Sequence, residues 1–212
     1  MVGTGGKVMG RRKHMAGLSM VELMVTILVL AILMAIAVPS FRAVMNRGNV
    51  VSAVNSLSAD IQFARGAASS EHRFVSICRS TTGTQCDIPT GGTHDYDVGW
   101  IVYSYDVSST GADQAYVAGS SNMTLLRSTP QIRGVSVRAT DANIFTFNQT
   151  GQFVASAGRT GLNFVACPRA TVSDASDTLG TNEAGKQGSL LVLRQSGSLT
   201  VTPLPLTSSC LL

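Results

Sequence analysis

From Leu18 to Val38 the sequence is apolar but for Ser19, Glu22 and Thr26, and Pro39 follows. A helix of this length, at about 1.5 Å per residue, reaches about 30 Å, the depth of a bilayer's hydrocarbon. Arg11, Arg12 and Lys13 precede the run, which begins after Ala16-Gly17. A carboxylate at membrane depth costs about 3 kcal/mol unless it is paired. Glu22 therefore constrains the reading more than the apolar residues do. A secretory signal would need a small-residue cleavage site, and Ala35-Ile-Ala37 could supply one. Signal-peptide cores, however, run only about 7–15 residues. A plain membrane anchor explains the length and the basic flank, which stays cytoplasmic, but leaves Glu22 without a purpose.

Gly17, Glu22, Leu23 and Pro39 share the spacing of the class III leader of type IV pilins and type II secretion pseudopilins, and the segment resembles that leader. Leu18 stands where Phe is usual, and Ser19 where Thr is. The resemblance implies cleavage by prepilin peptidase between Gly17 and Leu18, and N-methylation of Leu18 by the same enzyme. It also gives Glu22 an assembly role, pairing with the N-terminal ammonium of an adjacent subunit. Residues 1–17 are then a leader, 18–70 a long helix with 18–38 transmembrane, and 71–212 a periplasmic domain.

Pro39 removes one helical N–H donor and predicts a kink; Gly48 is a second weak point. Beyond Pro39, Phe41, Val44, Met45, Val51, Val54, Leu57, Ile61, Ala64 and Ala68 form an amphipathic stripe. Arg42, Asn46, Arg47, Asn49, Asn55, Asp60 and Arg65 fall mostly on the other faces. Helix is expected to about Ser70. Then the period changes. Strands are expected at Phe74–Cys78, Gly99–Tyr105, Met123–Arg127, Val135–Arg138, Ile144–Phe147, Leu162–Cys167, Ser189–Arg194 and Ser198–Thr202, the last two joined by a turn at Gln195-Ser-Gly197. The expected class is α+β: a long helix packed on a small antiparallel β-domain of two sheets.

This order of features resembles the GspH/FimT group of minor pseudopilins and minor pilins. It includes a first strand ending in Cys, a Gly-Trp-Ile-Val strand, Phe147 to Gly151 as a turn, and a terminal hairpin before a late Cys. The resemblance implies a minor type IV pilin of the FimT kind, with a GspH-like pseudopilin or a DNA-binding minor pilin as alternatives. The implied partners are other pilins or pseudopilins, prepilin peptidase and an inner-membrane assembly platform. The implied location is the bacterial inner membrane, then a pilus or pseudopilus.

Cys78, Cys86, Cys167 and Cys210 all lie beyond the apolar run, and an even count in an oxidising compartment reads as two disulfides. Of the three pairings, Cys78–Cys86 with Cys167–Cys210 would close a short loop and tie down the C-terminal tail. No enzyme, cofactor or metal site is expected. There is no Gly-x-Ser-x-Gly elbow, and Cys78, Cys86 and His94 fit no zinc spacing. Thr93-His-Asp-Tyr-Asp97 with Asp87 lacks the EF-hand pattern and reads as a solvated loop. Asn122-Met-Thr124 and Asn148-Gln-Thr150 match a sequon and carry no weight in a bacterial-type pilin.

The formal charge of +4 resides in Lys7, Arg11, Arg12 and Lys13, so removal of residues 1–17 leaves none. DNA-binding members of the group carry Gly-Arg-x-Arg in the terminal hairpin. Gly197-Ser-Leu-Thr200 lacks both arginines, so DNA binding is not expected. Arg133, Arg138, Arg159, Arg169 and Arg194 lie in different strands and loops, which leaves a shared basic face open.

Overall fold

The computed structural model describes residues 19–89, 94–106, 111–155, 158–169 and 179–212, with backbone only at Pro39. Among the described residues one helix, α1 (Met20–Glu71), is followed by eight strands. The chain divides into two compact units at Phe41/Arg42. Ser19 starts the helix: its Oγ accepts from the Val21 N–H at 3.3 Å and its carbonyl from the Leu23 N–H at 3.1 Å.

In the first unit every described side chain of α1 from Met20 to Val38 is exposed. In the second unit α1 buries one face. Val50, Ala53, Val54, Leu57, Ile61, Ala64, Ala67 and Ala68 enter the main core. The stripe expected from sequence is corrected at its start, because Phe41, Val44, Met45 and Val51 are exposed. The sheets cover the helix only from Val50 onward, and small alanines at positions 53, 64, 67 and 68 let them approach closely.

The strands are β1 (Phe74–Arg79), β2 (Trp100–Tyr105), β3 (Met123–Thr129), β4 (Val135–Ala139), β5 (Phe145–Phe147), β6 (Gly161–Pro168), β7 (Ser189–Arg194) and β8 (Leu199–Pro203). They form two four-stranded antiparallel sheets, ordered β3-β2-β1-β5 and β4-β6-β7-β8. Alternation in β2 sends Trp100 and Val102 to the core shared with α1. It sends Ile101, Tyr103 and Tyr105 to the other face, where Cys86 and Tyr116 cover them. In the second sheet Leu162, Phe164, Leu191 and Leu193 face the helix core. The opposite face, Val165 and Cys167, lies under Leu204 and Cys210 of the C-terminal tail. Tyr96, Phe145, Phe147, Phe153 and Phe164 form a chain of ring contacts inside the main core.

The reading of His94–Asp97 as a solvated loop is also corrected. The Tyr96 N–H donates to the Val137 carbonyl and the Ala139 N–H to the His94 carbonyl, each at 2.8 Å. This segment thus continues the second sheet beyond β4, and Asp95, Tyr96 and Asp97 are buried. Thr93 lies outside the described residues.

Candidate assembly interface

Glu22 sits in the first turn of α1, exposed among apolar neighbours. Exposures of 85% at Met20, 62% at Leu28 and 69% at Ile36 show that no described residue covers the segment. Apolar surface this continuous requires lipid or another protein. The helix is continuous through position 39. Gly17 and Leu18, the expected cleavage and methylation site, lie outside the described residues.

Within the second unit, polar contacts join α1 to the sheets. Asp60, only 6% exposed, is the centre of one of them. Its Oδ2 accepts from Trp100 Nε1 at 2.8 Å and from Thr129 Oγ1 at 2.7 Å, and its Oδ1 accepts from Arg127 Nη1 at 2.9 Å. Arg127 also lies over the Phe63 ring, 3.7 Å from its centroid. One carboxylate thus ties α1 to β2 and β3. Sequence reading placed Asp60 on a polar face. Its spacing from Leu57 and Ala64 was the signal that it lies on the buried stripe. A second tie joins α1 to the β7–β8 turn, where Arg65 Nη1 donates to the Gly197 carbonyl at 3.2 Å. Gly197 has φ +74°, and a Cβ there would meet the Gly151 carbonyl at 2.5 Å, so the close packing of this turn requires glycine.

Buried ion pairs join the sheets. Arg79 Nε meets Asp95 Oδ1 at 2.9 Å, and Asp95 Oδ2 lies 4.0 Å from Arg138 Nη1, which bridges β1 to β4. Arg169 Nη2 meets Asp97 Oδ2 at 2.7 Å, and Asp97 Oδ1 accepts from the Val137 N–H at 3.1 Å. Arg159 pairs with Asp113 at 3.0 Å and Asp141 at 3.3 Å. Arg138, Arg159 and Arg169 therefore hold acids rather than form a basic face; Arg133 and Arg194 are exposed.

Cys78 is bonded to Cys86, and Cys167 to Cys210. The first bond closes the loop after β1. Asp87 closes it again, accepting from the Thr81 backbone N–H at 2.7 Å and from the Thr81 hydroxyl. Partial burial raises the Asp87 pKa, but these bonds and the Arg79 charge outweigh it and hold the carboxyl below its ordinary range. The second disulfide pins the tail to β6. No cluster of metal-ligating side chains occurs among the described residues.

An uncovered apolar helix with one early carboxylate, continuing into a two-sheet domain that clasps its second half, is the plan of a pilin-type subunit. The chain belongs to the GspH family: residues 53–197 match the family model described as type II transport protein GspH. Residues 12–38 match the prokaryotic N-terminal methylation motif. The fold resembles that of the type IV minor pilin FimU of Pseudomonas aeruginosa, with TM-score 0.51 and 21% identity over 77% of this chain and 96% of that one. It also matches the minor pseudopilin EpsH from the type 2 secretion system of Vibrio cholerae, with TM-score 0.38 and 8% identity over 73% and 96% of the two chains. No curated protein sequence matches it. The chain is thus a GspH-family protein that carries the N-terminal methylation motif on its apolar helix.

Proposed function

We propose that the chain is a minor type IV pilin of the FimT kind. It is made with residues 1–17 as a leader, cut between Gly17 and Leu18, and methylated on the Leu18 amine by prepilin peptidase. Residues 18–38 anchor it in the bacterial inner membrane, and residues 71–212 form its periplasmic domain. An assembly platform in that membrane passes it into a pilus or its tip.

The observation that carries this reading is the uncovered apolar segment with Glu22 in its first turn. Such a helix leaves lipid only for surroundings as apolar, which other pilin helices provide. Glu22 neutralises the Leu18 ammonium of a neighbour there. A subunit out of register would leave both charges unpaired, at a cost of about 3–5 kcal/mol, so the pair selects the axial position. Pro39, which lacks an N–H, loosens the helix just beyond the segment. The family description favours a second reading, a GspH-like pseudopilin of type II secretion, in which the same helix packs into a pseudopilus.

The test is Glu22→Ala in cells. Leader removal and membrane insertion should persist, while entry into filaments falls at least about tenfold, the effect of about 1.4 kcal/mol lost from pairing. Normal incorporation would remove the pairing role.

A further inference from the structure

Most arginines of the β-domain are paired with acids, and four of the cations that are not so paired lie about the start of α1 in the second unit, whereas Arg65 and Arg194 do not join them. Arg42 and Arg47 lie four and nine residues beyond Val38, both exposed on α1. No Asp or Glu occurs between Glu22 and Asp60. Arg47 lines a groove with Val50, Val51, Gly185, Gln187 and Val201, which brings the turn that carries Lys186, between Gly185 and Gln187, beside the helix. On another side, a Cβ on Gly134 would lie 3.5 Å from Asn49 Nδ2, which places exposed Arg133 at the helix as well. Asn49 follows Arg42 by two helical turns and shares its face. Glu183, in the turn before Lys186, is an exposed acid of this region among the described residues. The four cations form a collar around the first turns of the helix in the second unit. Val44 and Met45 are exposed on the same turns of the helix, at 66% and 50%.

We propose that this collar binds the anionic headgroups of the membrane leaflet that the apolar segment enters, and so seats the domain on the bilayer before assembly. The proposal rests on the anchored reading above. Two observations choose a membrane over another polyanion. Arg42 and Arg47 follow the apolar segment within nine residues of sequence, a tether short enough to keep the headgroups at high local concentration. Exposed Val and Met interleaved with Arg suit an interface that is apolar below and charged above. Arg42 and Arg47 also run against the bias that keeps cations on the cytoplasmic flank. Four cations in residues 1–17 outweigh them, but their presence calls for a contact.

Lys186 supplies the readout, because it is the one lysine beyond Lys13. The full chain is reconstituted into nanodiscs of phosphatidylcholine alone, or of phosphatidylcholine and phosphatidylglycerol in equal parts. Acylation of Lys186 by an amine reagent is then followed by peptide mass spectrometry. Acylation should be about fivefold slower in the anionic discs, the effect of about one headgroup contact, and about 0.5 M salt should abolish the difference. Arg42→Ala/Arg47→Ala should restore the fast rate in anionic discs, whereas Arg194→Ala, an exposed cation outside the collar, should leave it slow. Equal rates in both discs, or protection that survives the double substitution, would overturn the proposal. So would equal protection of Lys186 by duplex DNA added to phosphatidylcholine discs, which would make the collar a nucleic-acid surface. A chain that does not enter the discs overturns the anchored reading and the collar with it.

Discussion

Replacing Asp60 by Ala isolates what fastens the helix to the first sheet. The substitution removes three hydrogen bonds to a carboxylate, from Trp100, Thr129 and Arg127. The partners lose unequally. The Arg127 side chain is 44% exposed and recovers water, so its share is small. Trp100 is fully buried, and its indole N–H is left without an acceptor, at a cost of about 1–3 kcal/mol. Thr129 adds about 1 kcal/mol. The carboxylate's own desolvation is regained in part, so the net loss is about 3 kcal/mol. For a unit of this size that lowers Tm by about 6–12 °C. Trp100 is the sole tryptophan, so its emission follows unfolding of the full chain in detergent without a label. Asp60→Asn keeps one acceptor oxygen and should lose about half as much. If Asp60→Ala melts within about 1 °C of the parent, the carboxylate is a passenger and the account of the helix–sheet joint is wrong.

Three other expectations follow from the same geometry. Cys210→Ser opens a loop of 43 residues and Cys86→Ser one of 8, so chain entropy predicts losses of about 4 and about 2.5 kcal/mol by denaturant titration; equal losses, or a peptide map joining Cys78 to Cys167, would contradict this. Gly99→Ala should destabilise by about 2 kcal/mol or more in the same titration, because φ is +114° and a Cβ would meet the Thr129 and Ser80 carbonyls at 2.7 and 2.9 Å; a neutral effect would show that the backbone relaxes freely. Burial, aided by the Asp141 charge at Tyr96 and by Tyr105 at Tyr103, pushes both phenols well above their ordinary pKa. The stability this gives is complete below about pH 10 and is lost as pH rises past it. Absorbance at alkaline pH should show these two tyrosines ionising together with unfolding, and not before.

How much could be read from the chain depends on the range of each interaction. The helix and strands follow local periodicity: β2 is an apolar and aromatic run from Trp100 to Tyr105 broken only by Ser104, and α1 repeats apolar residues from Val54 to Ala68. Where the helix becomes covered is a tertiary matter, and Phe41, Val44 and Met45 match the same period while facing outward. Asp95 and Asp97 look like solvated acids in sequence, and the spacing of Asp60 marks its place on the buried stripe but not its partners. Asp60 finds its partners 40 to 69 residues away, and Asp97 meets Arg169 72 residues away. No spacing rule anticipates pairs of that separation. The collar of Arg42, Arg47, Arg133 and Lys186 is dispersed for the same reason. It emerges only when the acid-bound arginines are set aside.

The proposed function stands on processing between Gly17 and Leu18. Its most direct test is the intact mass and N-terminal peptide of the protein recovered from membranes of cells with active prepilin peptidase. The account predicts a chain that begins at Leu18, carries one methyl group on its α-amine and holds both disulfides. A membrane-bound protein that retains Arg11, Arg12 and Lys13 in those cells would contradict it.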